Sequence, residues 1–356
     1  MALFKDMLRS DETLFKNAVA LDFDFMPKLV PFRENEQHYV ATCLKPLFQK
    51  RNGRNLVITG SPGVGKTVAL RRVLEELQEE TDEIIPLYIN CWQKNTTYKI
   101  VLEFCELLGY RFTHNKKTEE LFAEIKKELN KKSAVFVFDE IDKVEEFDFL
   151  YTLIEDIYRK SILMITNYKE WVSGIDSRIK SRLIPDTLEF KQYSSREMRG
   201  ILEQRMDAAF FEGAWSEEAF DAVVEHAVSA GDVRTGLFLL REAANICEDE
   251  SKRQITPGHV IKASSKMEGF SIKKDTELEE ETQQILQLVK EHPDKRIGDL
   301  FKLYREKDGS ATYKTFQRKI QKLAENKFIS IKKVIGGKEG STTLVRPFHH
   351  KKLTEF

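Results

Sequence analysis

The sequence predicts an α/β protein: a phosphate-binding parallel-sheet core, then a helical domain, then a small basic winged-helix domain. Three observations carry this. Continuous apolar runs alternate with helical periodicity up to about residue 193. Gly60–Thr67 completes a phosphate-loop pattern between one such run and a helix. Strand signal then stops and returns only as a short hairpin near the C-terminus.

Residues 1–35 show weak periodicity. From Glu36 to Gln49 apolar residues recur at helical spacing. Leu56-Val57-Ile58-Thr59 reads as a short buried strand, followed by a Gly-rich turn and a helix from about Lys66 to Glu80. Ile84–Ile89 is a second strand, and helical spacing fills roughly 97–130 with a break near Gly109 to Lys117. Ala134–Phe138 and Ser161–Thr166 are the third and fourth strands. Strands apolar throughout are covered on both faces, as in a parallel sheet between helices. Residues 194–267 read as several helices, and acidic Asp275 to Glu281 as a linker. Residues 282–356 read as three helices and two strands joined by Gly336-Gly337-Lys338-Glu339-Gly340. The domains expected are 1–192, 193–274 and 275–356.

Lys and Arg total 57 and Asp and Glu 58, a formal charge of −1 that taken whole argues against a nucleic-acid partner. The total is a cancellation. Residues 295–356 hold 16 basic and 6 acidic residues, a net of +10, and the rest of the chain carries −11. Such a separation is the electrostatic footprint of phosphate binding. No apolar run approaches the ~18 residues of a membrane span, and the first residues lack a secretory pattern. The four cysteines form no CxxC pair, which points to buried thiols in a reducing, cytoplasmic setting rather than a zinc site or disulfides.

The phosphate loop is Gly60-Ser61-Pro62-Gly63-Val64-Gly65-Lys66-Thr67. Its glycines let backbone N–H groups turn toward phosphate oxygens, Lys66 supplies charge at the β- and γ-phosphates, and Thr67 can ligate Mg²⁺. The following helix adds its positive end. Asp139-Glu140 follow the third strand, where an open α/β sheet places ligand chemistry. Asp139 would hold Mg²⁺ and Glu140 would polarise an attacking water, which argues for hydrolysis. Asn167, at the end of the fourth strand, would orient that water or touch the γ-phosphate. Arg178 and Arg182 are candidates for an arginine finger reaching a neighbouring subunit's nucleotide.

In the basic domain the helix over Thr312–Asn326 is the expected recognition helix. Phe316, Ile320 and Leu323 would face its core. Tyr313, Lys314, Gln317, Arg318 and Lys322 remain for DNA, with Lys338 at the wing tip.

Taken in order, the phosphate loop, Asp139-Glu140-Ile141-Asp142, Asn167 and the Arg cluster resemble an AAA+ ATPase. Gly231-Asp232-Val233-Arg234 resembles that family's second sensor, which implies that Arg234 touches the γ-phosphate. Narrower segments resemble the archaeal replication initiators of the origin-recognition-complex/cell-division-control type: Tyr88-Ile89-Asn90-Cys91, Asn95–Tyr98, Ile175–Leu183, Phe190–Ser195 and Ile201–Arg205. The resemblance runs from about Leu14 to the end. It implies nucleotide contacts from Tyr193 and Arg205, with ATP or ADP and Mg²⁺ as cofactors and slow, regulatory hydrolysis. It also implies double-stranded origin DNA and the minichromosome-maintenance helicase as partners, and self-assembly on DNA in the nucleoid. In that family a helical insert contacts DNA; the matching region here is about Tyr98 to Thr118, with Lys99, Arg111, Lys116 and Lys117. The competing reading is a signalling or defence ATPase whose winged helix binds protein, which would not require a strongly basic recognition helix. A processive motor or clamp loader fits less well, because a single ATPase module precedes a DNA-type domain.

Overall fold

In the computed structural model, residues 13–169, 171–276, 280–293, 295–307, 309, 311–325, 329–334 and 342–347 are described. The chain forms two compact units, Met1–Ala263 and Ser264–Phe356.

The first unit contains α1 (Glu34–Phe48), β1 (Leu56–Gly60), α2 (Lys66–Glu80), β2 (Ile84–Asn90), α3 (Thr97–Leu107), α4 (Thr118–Leu129), β3 (Ser133–Asp139), α5 (Asp148–Asp156), β4 (Lys160–Thr166), α6 (Ser177–Leu183) and β5 (Asp186–Phe190). The five strands form one parallel sheet in the order β2-β3-β4-β1-β5. β1 and β3 are buried at every position and β4 at all but its first, which is why their sequences are unbroken apolar runs. Each face of the sheet carries an apolar cluster. Phe104, Phe136, Phe138 and Phe149 anchor one, and Leu56, Ile58, Leu70 and Val137 belong to the other.

β5 is a fifth strand that the sequence reading did not anticipate. It lies at the sheet edge, and in Asp-Thr-Leu-Glu-Phe only Phe190 is fully buried, so no apolar run marks it. β2, on the opposite edge, admits Pro86 because an edge strand tolerates a missing N–H.

Four helices follow: α7 (Ser195–Ala209), α8 (Glu217–Ala230), α9 (Val233–Asp249) and α10 (Pro257–Thr276). Ser194 caps α7 in a capping box with Glu197, Ser216 caps α8, and Asp232 caps α9 by accepting from the Arg234 N–H. Leu202, Val223, Leu240 and Ala243 lie in a separate helical core, and Leu14, Ala20 and Leu21 from ahead of the sheet pack into the same cluster. Asp275 and Thr276, read as linker, end α10.

The second unit comprises α11 (Glu280–Glu291), β6 (Lys295–Arg296), α12 (Ile297–Glu306), α13 (Tyr313–Glu325), β7 (Ile329–Val334) and β8 (Thr342–Pro347). The strands form an antiparallel sheet in the order β6-β8-β7. This is the expected winged helix with one addition, the two-residue β6. Phe316, Ile320 and Leu323 are buried with Leu300, Tyr304 and Val345, as the spacing predicted. Tyr304 also fixes the turn before α13. Its hydroxyl accepts from the Ala311 N–H at 3.1 Å, and its ring lies where a Cβ on Gly309 would be, at 2.3 Å. Among the described residues no helix is long and apolar enough to cross a membrane. The four cysteines are buried.

Candidate functional site

The sheet order decides which residues meet. β4 lies between β3 and β1, so Asn167 sits between the phosphate loop after β1 and Asp139-Glu140 at the end of β3. Residues 100 apart in sequence thereby share the C-terminal edge of one sheet, where such folds bind ligands. There a cavity of about 400 Å³ is lined by Pro62–Thr67, Asp139, Glu140, Asn167, Tyr193, Arg205 and Arg234. Gly60 and Ser61 flank a second opening, shared with Asn167.

Lys66 is 7% exposed. Its ammonium donates to Gly60 O at 2.7 Å, Ser61 O at 2.9 Å and Asn167 Oδ1 at 2.9 Å. Burial pulls it down to about 8, with Asp139 opposing and Arg234 adding to the fall. Thr67 Oγ1 donates to Asp139 Oδ2 at 2.6 Å, and the Tyr88 hydroxyl donates to the same oxygen at 2.7 Å. A hydroxyl and a carboxylate converging on one point are hard oxygen donors. They suit Mg²⁺, which takes one or two protein carboxylates and completes its shell with phosphate and water. The residues therefore fit the cation.

Glu140 is held at φ 55°, ψ 44°, a left-handed conformation uncommon outside glycine. Such strain concentrates at functional sites. Burial raises the Glu140 carboxyl above the ordinary glutamate range, and the neighbouring charges of Asp139 and Asp142 raise it further. A carboxylate with raised proton affinity is a better base toward water.

The lid closes on the loop through contacts that only glycine permits. Gly63 has φ +74°, and a Cβ there would lie 1.8 Å from Asp232 Oδ1 at the start of α9. Gly65 has φ +87°, and a Cβ there would lie 2.5 Å from the Tyr193 hydroxyl. Arg234 enters the cleft two residues after Asp232.

Several participants carry no sequence motif. Arg33 is 4% exposed. It donates to Val64 O in the phosphate loop at 3.0 Å and to Lys191 O just after β5 at 2.6 Å. Its guanidinium stacks 3.9 Å from the Tyr193 ring centre. Phe23, Met26, Pro27 and Val30 add an apolar wall to the cleft. A buried arginine and a Pro-flanked apolar segment are visible in the sequence, yet nothing local says what they face.

Arg205 lines the cleft, but its N–H groups go to Ala20 O at 3.0 Å and Phe25 O at 3.4 Å, so it anchors the N-terminal segment. Arg178 and Arg182 are absent from the residues lining the cleft. Arg178 is exposed on α6 and paired with Asp176 at 3.1 Å; Arg182 pairs with Glu155.

In the second unit Lys314, Gln317 and Arg318 stand on the exposed side of α13, opposite Phe316 and Ile320. Tyr313 is exposed and meets Phe301 edge-on at 5.0 Å. Lys322 falls within α13, but its side chain is outside the described residues, as is Lys338 entirely. In the Tyr98–Thr118 region Lys116 donates to the Tyr110 hydroxyl, and Phe112 is exposed.

An AAA domain model matches residues 49–167, and a Cdc6 AAA+ ATPase-type lid domain model matches residues 199–265. The chain is similar to ORC1-type DNA replication protein 2 of Methanothermobacter thermautotrophicus, 27% identical over 363 aligned positions that cover 96% of this chain and 94% of that protein. It is 33% identical over 272 positions to ORC1-type DNA replication protein 1 of Sulfurisphaera tokodaii, covering 73% of this chain and 68% of that one. Among solved structures, the Aeropyrum pernix ORC1 protein in complex with DNA superposes with a TM-score of 0.75 at 25% identity, covering 96% of this chain and 94% of that one. With an AAA core, a Cdc6-type lid and relatives at this identity over most of their length, the chain belongs to the archaeal ORC1-type, Cdc6-like family of AAA+ ATPases.

Proposed function

We propose that the chain is an ATP-dependent replication initiator that binds double-stranded origin DNA and helps load the minichromosome-maintenance helicase. The observation that carries this reading is the pairing of a complete phosphate-loop site in one unit with an exposed basic recognition helix in the other. The relatives' name, ORC1-type DNA replication protein, and the DNA bound to the Aeropyrum ORC1 protein support it.

Lys66 would exchange its bonds to Gly60 O and Ser61 O for phosphate oxygens, and Asn167, already bonded to Lys66, would move with it. Thr67 and Asp139 would hold Mg²⁺, which when bound neutralises charge on the bridging phosphate oxygens. Glu140 takes a proton from the attacking water while Asn167 fixes that water's direction. Arg234 reaches the γ-phosphate from the first turn of α9, so the lid reads whether that phosphate is present. Arg178, exposed on α6, or Arg182 would serve a neighbouring copy's nucleotide during assembly on DNA. Hydrolysis is slow, because the ATP state is the signal.

On DNA, Tyr313, Lys314, Gln317, Arg318 and Lys322 would face the major groove from α13, with Lys338 on the backbone. The place of action is the nucleoid. Genome-wide mapping of bound DNA with the wild-type chain and Lys66→Ala tests the proposal. Enrichment at one intergenic locus, altered by the substitution, is the expected result; uniform background with both chains would overturn it.

A further inference from the structure

The Tyr88–Cys91 segment marks a branch of the family by resemblance, but the mechanism above gives Tyr88 no task. Tyr88 lies on edge strand β2, directly beside Val137 of β3 and two residues before the Asn90–Asp139 pair. Its hydroxyl donates to Asp139 Oδ2 at 2.7 Å, the oxygen that also accepts from Thr67 at 2.6 Å. Asp139 is 4% exposed, so these donors set the direction of its carboxylate. The Arg71 guanidinium lies 4.5 Å from the centre of the Tyr88 ring and holds that ring from α2.

We infer that Tyr88 is a positioning residue that aims the Asp139 carboxylate at the cation shared with Thr67. The inference rests on reading the cleft as a magnesium–ATP site. Its physical basis is the kind of donor. A lysine or arginine bonded to Asp139 would cancel the negative charge that a divalent cation needs. A phenolic hydroxyl fixes the same oxygen while leaving that charge in place. Thr67 alone would not do this, because its oxygen must also serve the cation. Arg71 puts positive charge behind the ring rather than on the carboxylate. Partners behind a metal ligand orient it, and their loss typically weakens metal binding about 10- to 100-fold.

The test is a Mg²⁺ titration of the full chain with the fluorescent nucleotide mant-ATP, run beside a metal-free titration in EDTA. Tyr88→Phe keeps the ring and removes only the donor. The expected result is an increase of about tenfold in the Mg²⁺ concentration for half-maximal binding, with metal-free mant-ATP affinity unchanged. Arg71→Gln leaves the hydroxyl in place and should move the Mg²⁺ midpoint the same way by a smaller factor; it carries the test if Tyr88→Phe melts early. An unmoved Mg²⁺ midpoint overturns the inference. Equal loss of mant-ATP affinity with and without Mg²⁺ also overturns it, since that marks packing alone. A wild-type chain whose mant-ATP binding ignores Mg²⁺ would overturn the magnesium–ATP reading itself.

Discussion

Lys66 in the first unit and Lys314 in the second are both offered to phosphate, but in opposite settings. Lys66 is buried and donates three hydrogen bonds to Gly60, Ser61 and Asn167. Lys314 and Arg318 stand exposed on a helix whose other side is buried through Phe316, Ile320 and Leu323. Asp139, likewise buried, is held by Thr67 and Tyr88. Chemistry on one phosphate needs groups fixed within a fraction of an ångström, which burial and mutual hydrogen bonds supply. Attraction to a polyanion needs net charge at a surface, and a helix with one apolar face presents that with little local order.

The largest expected effect separates the units by stability. Phe316 is fully buried against Phe301 and Tyr304. Phe316→Ala should destabilise the second unit by about 3–5 kcal/mol and leave nucleotide binding by the first unit intact. Calorimetry with and without ATP checks this: only the transition of the first unit should respond to nucleotide, and it should not move with the substitution.

Next is Lys66→Ala, which removes a charge-assisted phosphate contact. Nucleotide affinity should fall about 100-fold, given ~1.5–3 kcal/mol for each hydrogen bond to a charged group. Isothermal titration calorimetry measures the loss. The salt dependence of duplex binding without nucleotide should stay as in the wild type, because the basic helix is untouched. A coupled loss of both would break the division drawn between the units.

A smaller effect follows from pH. Phosphate binding needs the Lys66 ammonium, and burial lowers that group to about 8 in the folded chain. An unfolded lysine keeps its proton to ~10.4. Nucleotide affinity should therefore be full below pH 8 and fall as pH rises through it, by up to about tenfold per unit. For the nucleotide-free fold the sign is opposite: stability contributed by this group rises from about pH 8 toward ~10.4, because the unfolded chain then holds the extra proton. Affinity measured from pH 7 to 9.5 checks the first statement, and a flat profile would contradict it.

What the sequence made legible follows the range of each signal. The phosphate loop is one contiguous pattern and Asp139-Glu140 ends an apolar run, so both were readable locally. Phe316, Ile320 and Leu323 recur at four and three residues, which is the helical period, so the buried side of α13 was also readable. β5 was not, because an edge strand needs few apolar positions and Asp186–Phe190 supplies few. Arg33, Tyr88 and Asp232 were unreadable as site residues for another reason. Each acts on a partner brought close only by folding: Val64, Asp139 and Gly63 respectively. Arg205 shows the converse, a position matched by resemblance whose donors serve the N-terminal segment.

The central claim is that the basic side of α13 carries duplex binding. It is tested most directly by fluorescence anisotropy of a labelled duplex titrated with the full chain across a range of salt concentrations. The wild type and a Lys314→Ala/Arg318→Ala double variant are compared. Each lost phosphate contact removes about 0.9 from the slope of log affinity against log salt, so the variant should bind more weakly with a slope shallower by about 2. An unchanged affinity and an unchanged slope would contradict the account.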